Sequence, residues 1–144
     1  MIAIEFFIPV EVLPKQTNRN RIATNREGKR YAARFTPLKV KANAEALALY
    51  AKRHVPNRPL RGPVRAVFEF WFPFRVRASK VAKKRGWLSK DTAPDNDNLS
   101  KQLCDVLEAC GFFEVCDAQI SRQEMSKFWG HEVGVDVRLE ELEG

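Results

Sequence analysis

Val64-Arg65-Ala66-Val67-Phe68-Glu69-Phe70-Trp71-Phe72 alternates from end to end: Val64, Ala66, Phe68, Phe70 and Phe72 take one set of positions and Arg65, Val67, Glu69 and Trp71 the other. That is the period of a strand, in aromatic and β-branched residues that suit a pleated surface. Alternation of this kind belongs to a sheet with one covered and one wetter face, not to a parallel sheet buried on both. The opening segment repeats it, with Ile2, Ile4, Phe6, Ile8, Val10 and Val12 on one side, and so do Val133, Val135, Val137 and Leu139 near the end. Phe112 to Val115 and roughly Ile120 to Phe128 are weaker strand candidates. Thr36-Pro37 supplies an N-cap followed by proline at the first helical position, opening an alanine- and leucine-rich helix that runs to about His54 and stops before Pro56 and Pro59. The expected fold is α+β, with one mixed sheet packed by two helices in a single domain over residues 1–144.

A chain of 144 residues can bury about two-thirds of its unfolded surface around one core. No stretch approaches the roughly 18 apolar residues of a membrane span, and the Met1–Glu5 start lacks the layout of a signal peptide, so a soluble intracellular protein with no membrane partner is expected. Cys104, Cys110 and Cys116 are odd in number and form no CxxC pair, which excludes a disulfide framework and a zinc site and leaves buried thiols. The net charge of +7 is unevenly spread: residues 1–90 carry 21 basic and 5 acidic side chains, residues 91–144 carry 4 and 13. A basic half attracts a polyanion through counterion release, whereas acidic residues in the same protein need another task, such as holding a cation. The basic residues concentrate in Pro14–Arg34, expected as a loop or loose hairpin, and in residues 73–93, expected as an exposed and mobile basic arm.

The acidic residues have a focus in Pro94-Asp95-Asn96-Asp97-Asn98-Leu99-Ser100-Lys101-Gln102-Leu103-Cys104-Asp105-Val106-Leu107-Glu108-Ala109-Cys110-Gly111. At 100° per residue Leu99, Leu103, Val106, Leu107 and Cys110 share one helix face, while Asp97, Lys101 and Asp105 stack on the opposite one. Asp97 is the expected N-cap and Gly111 follows the C-terminus. Two aspartates one residue apart at a chain-to-helix junction can converge oxygens on a hard cation, and Asp117, beyond the Phe112–Val115 segment, is a candidate third ligand at the same corner. The competing account is structural: turn and cap aspartates, with Lys101 in ordinary i, i+4 ion pairs.

The wider pattern resembles the RusA family of Holliday-junction resolvases. The matching residues are Pro94-Asp95-Asn96-Asp97-Asn98-Leu99-Ser100-Lys101, then Asp105 and Leu107, Gly111-Phe112, and Asp117-Ala118-Gln119-Ile120, with Pro14-Lys15 followed by Arg19 and Arg21 as a further likeness in the first loop. The resemblance implies a RusA-like fold, a homodimer that nicks paired strands of a four-way DNA junction, and magnesium, with manganese as a substitute, held by Asp95, Asp97 and Asp117 beside a catalytic Lys101. Under it, Lys15, Arg19, Arg21, Lys80, Lys83, Lys84 and Arg85 track DNA phosphates, and the protein works in the cytoplasm of a bacterial or phage-infected cell. The chain departs from the pattern at Cys116, where many relatives have an aspartate, leaving Glu114 to be considered in its place, and at Pro94, where some have a basic residue. Two other functions fit the same residues: a non-catalytic nucleic-acid-binding protein, and a nuclease preferring flaps or forks.

Overall fold

The computed structural model describes residues 1–15, 19–35 and 37–143, with the side chains of residues 19–21 and 32–35 outside the description. In chain order the elements are β1 (Ala3–Ile8), β2 (Arg19–Thr24), β3 (Arg30–Phe35), α1 (Leu38–Ala51), β4 (Val64–Pro73), α2 (Lys80–Arg85), β5 (Trp87–Ser89), α3 (Asn96–Ala109), β6 (Ile120–Gly130) and β7 (Gly134–Glu141). Five strands form one mixed sheet in the order β1-β7-β4-β6-β5, and β2 and β3 form a separate hairpin. Only the β4–β6 pair is parallel; β1–β7, β4–β7 and β5–β6 are antiparallel. A parallel pair needs a crossover, and the chain between β4 and β6 supplies it through α2, β5 and α3.

The alternation read in β4 is the burial pattern observed: Val64, Ala66, Phe68, Phe70 and Phe72 are buried and the residues between them half-buried. Phe6 and Ile8 from β1 and Val135, Val137 and Leu139 from β7 join that face. Leu47 and Ala51 of α1 and Leu99, Leu103 and Leu107 of α3 cover it. The opposite face is charged, with Arg65 bonding Glu124 at 2.7 Å and Glu140 at 2.9 Å and Arg138 bonding Glu5 at 3.1 Å. The fold is therefore the α+β arrangement expected, with two long helices on one side of a mixed sheet.

Several local expectations are corrected. Pro37 stands at the N-cap of α1 rather than inside it, and Thr36 lies outside the described residues. The helix ends at Ala51 and tightens into a 3-10 turn at Lys52–His54. Phe112–Val115 is not a strand: Phe112 and Phe113 are both buried, which a pleated strand facing one core cannot arrange, and the segment makes only a single parallel bridge, Phe113 to Leu60. Residues 73–93 hold ordered elements. Ser79 caps α2 by accepting from the amide of Ala82 at 3.1 Å, Gly86 closes it in the left-handed region (φ 94°), and β5 then joins the edge of the sheet beside β6. A helix of six residues and a strand of three are too short to carry a readable period.

Candidate active site

Asp95 is the N-cap of α3, with extended backbone and no side-chain capping bond, so the place expected for Asp97 falls two residues earlier and Asp97 sits in the first turn. Both are exposed, and neither carboxylate joins an ion pair among the described residues. Asn96, between them, has a buried Oδ1 with no hydrogen-bond partner among those residues. The strap leading to Asp95 is held from β6: Lys127 Nζ donates to the carbonyls of Thr92 at 2.7 Å and Pro94 at 2.9 Å. Lys101 lies one turn beyond Asp97, exposed, and the ion pairs it was offered with Asp97 or Asp105 are not made. Asp105 is taken by Lys15 instead, and the backbone amide of Lys15 donates to Asn98 O at 3.0 Å, which fixes that segment along α3.

Asp117 opens a 3-10 turn, Asp117–Gln119, and its amide donates to Glu108 Oε1 at 2.9 Å. Glu108, Cys116 and Asp117 bring ligand atoms within 4.8 Å of one another, the one such group of three among the described residues. Burial first, and then the charges of Glu108 and Asp105, push Asp117 above the usual carboxylate range. A cation at this corner would relieve that repulsion, and carboxylates are the donors a hard divalent ion takes. Glu114, the considered replacement for the missing acid, pairs with Arg61 at 3.4 Å instead.

Asp95, Asp97 and Asp117 do not converge within one chain. β6 runs antiparallel to α3, as Gln123 bonding Ser100 and Lys127 reaching Pro94 demonstrate, so the turn that begins β6 lies beside the end of α3. Glu108, which holds Asp117, is about 16 Å along the axis from Asp97 at the helical rise. Glu108 and Gln119 stand in the quoted motif without a role of their own, and Lys127 lies outside it. Gln119 gives Nε2 hydrogen bonds to Leu60 O and Gly62 O, both 2.9 Å, and accepts from the amide of Val115 at 2.7 Å, so it pins the Asp117 turn to the loop before β4.

Of the basic residues assigned to DNA, Lys80 and Lys84 are exposed on α2, and Lys83 Nζ bonds Val76 O at 3.3 Å. Arg85 donates to Trp87 O at 3.0 and 2.8 Å, with its guanidinium 4.1 Å from the Trp87 ring centroid. The backbone of Arg19 and Arg21 lies in β2, and their side chains are outside the described residues. Cys104 is a buried thiol pushed up to about 11, mainly by burial, while Cys110 and Cys116 are half-buried, and all three are free.

The family model described as Endodeoxyribonuclease RusA matches residues 9–140. The chain belongs to the RusA family. Membership makes it an endodeoxyribonuclease, a hydrolase acting on DNA, and implies Holliday-junction resolution, branched DNA as the partner and the divalent-metal dependence general among such nucleases. The chain is also similar to the "Uncharacterized protein YqaN" of Bacillus subtilis (strain 168), with 31% identity over 111 residues, 74% of this chain and 77% of that one. Among the described residues no helix is long and apolar enough to cross a membrane.

Proposed function

We propose that this RusA-family chain resolves four-way DNA junctions as a homodimer in the cytoplasm of a bacterial or phage-infected cell, by magnesium-dependent hydrolysis for which manganese substitutes. The whole chain acts as one RusA-like domain whose 73–93 segment faces DNA. The observation that carries the reading is the pair of uncommitted carboxylates, Asp95 and Asp97, at the head of a helix that presents Lys101 one turn on, on the same exposed face as Asp97. Asp95, Asp97 and Asp117 are the metal carboxylates. Because Asp117 stands at the far end of α3 in its own chain, the site is completed between subunits, with Asp117 of the partner subunit facing Asp95 and Asp97 across a two-fold axis near the middle of α3. Such an axis gives two equivalent sites, which suits paired nicks in a two-fold symmetric junction.

Magnesium held there supplies Lewis acidity and a more acidic bound water. Lys101 places a positive charge against the scissile phosphate, where it counts most as charge develops on the oxygens. Lys127 keeps the 92–95 strap fixed so that Asp95 would present its carboxylate to the cation in one orientation. Lys15, Arg19, Arg21, Lys80, Lys83, Lys84 and Arg85 hold the junction arms through phosphates, with Lys80 and Lys84 the most available.

The test is cleavage of a synthetic four-way junction beside duplex, flap and fork controls, with magnesium, manganese or EDTA, for the wild type and Asp97→Asn. Symmetric metal-dependent nicks that vanish in the variant while junction binding persists are expected. Tight binding with no cleavage in either metal would establish a non-catalytic binding protein, and faster cutting of flaps or forks would reassign the substrate.

A further inference from the structure

Beside Asp95 the molecule holds a cleft of about 560 Å³, within the range of small-ligand sites. It is lined by the apolar Val12, Leu13, Phe72, Pro94 and Trp129, by Lys90, and by the carboxylates Glu11 and Asp95. Lys90 is 9% exposed, although a lysine ammonium rarely enters a protein interior unpaired. Its Nζ donates to Thr92 Oγ1 at 2.7 Å and lies 3.7 Å from the Trp129 ring centroid and 5.1 Å from that of Phe72, and it joins no ion pair among the described residues. Arg75 stands 4.5 Å from the same Trp129 ring, and the Lys127 ammonium is at the adjoining strap. Burial, and then the charges of Lys127 and Arg75, push the Lys90 ammonium below its ordinary value. Asp91 and Glu11 oppose those charges more weakly. An ammonium in this position has two donors left over and gains from an incoming anion.

We propose that this cleft is a nucleotide subsite, which takes one unstacked nucleotide adjoining the scissile phosphate, with a phosphate oxygen on Lys90 and the base against the apolar wall of Phe72, Pro94 and Trp129. The inference rests on the function proposed above, since it is Asp95, shared between the cleft and the carboxylate pair, that fixes which nucleotide enters. A base inside a continuous duplex must be unstacked to reach such a pocket, at a cost of a few kcal/mol that is smallest where stacking is already interrupted. The cleft therefore selects for branch points, and the fit of the base to its wall makes it the place where sequence preference at the cut arises.

The experiment places 2-aminopurine, one position at a time, at the nucleotides flanking the cut in a four-way junction and records fluorescence on binding of the full-length wild type in EDTA. A several-fold rise at one flanking position is expected, together with a roughly tenfold higher KM for a junction abasic at that position. Lys90→Met, which keeps the buried stem, is expected to abolish the fluorescence rise and raise KM about tenfold while kcat changes little. Normal cleavage by the wild type with no fluorescent position and no abasic penalty overturns the subsite and leaves the resolvase standing. Failure of the wild type to bind or cut any junction overturns the parent reading and this one with it. The fluorescence and abasic series use only the wild type, so they decide the matter even where Lys90→Met does not fold.

Discussion

Gln119→Glu changes one side-chain nitrogen into oxygen and leaves the shape intact, so its effect isolates the hydrogen bonds that hold the Asp117 turn. In the wild type the Gln119 amide nitrogen supplies donors to Leu60 O and Gly62 O, both at 2.9 Å, and its oxygen accepts from the amide of Val115 at 2.7 Å. The glutamate keeps the last of these and turns an oxygen toward the two carbonyls. Two net hydrogen bonds at about 1 kcal/mol each, plus the penalty of opposed oxygens at a half-buried position, come to about 2–3 kcal/mol at neutral pH. For a chain of this length that is a drop in Tm of roughly 6–9 °C. The sign of the pH dependence follows from the same contacts. A carboxyl facing two carbonyls has its folded pKa raised, so the variant is least harmed below the ordinary carboxylate range, where the protonated acid donates to one carbonyl. The deficit grows as pH rises through the elevated folded value. Thermal unfolding of wild type and variant at pH 4 and pH 7 measures both effects. A displacement of the turn on the order of 1 Å also lowers junction cleavage by tenfold or more, since catalysis is that sensitive to position. A variant within 1 °C of wild type at pH 7, or with the same deficit at both pH values, would refute the account of the turn.

Mixing Asp97→Asn with Asp117→Asn subunits is expected to restore nicking that neither variant shows alone, because a site shared between subunits leaves one of the two wild type; no restoration would place the site within one chain. Glu141, held down to about 2 first by its hydrogen bond with Arg58 and then by the amides of Ile2 and Arg61, has a depressed folded pKa, so its contribution is present above the ordinary 4.5 and is lost as pH falls toward 2. Acid titration of Tm is expected to be steeper for the wild type than for Glu141→Gln across that window, and parallel curves would contradict it. Gly134→Ala would bring a Cβ to 2.1 Å from Ile8 O at a φ of +153°, so β7 must pull away from β1. Loss of soluble folded protein, or a large fall in the urea midpoint, is the expected result, and near-wild-type stability would sink it.

The sequence by itself determined the strands with strict alternation and the helix with a clean apolar face. β4, β7 and α3 are recognisable because burial on one side imposes a period of two or about 3.6, and period is a local property of the chain. The Asp95–Lys101 motif was legible for the same reason, being contained in two turns of one helix. What tertiary structure decided was everything that depends on direction and distance. The antiparallel run of β6 against α3 sets Asp117 beside Glu108 rather than Asp97. The exchange of Lys15 for Lys101 as the partner of Asp105 joins residues 90 positions apart. Lys90 looked like one more charge in a basic arm. Only the packing of β4 and β6 against it, through Phe72 and Trp129, makes it a buried ammonium beside a cleft, because burial of a side chain is fixed by the elements that meet over it and not by its neighbours in sequence.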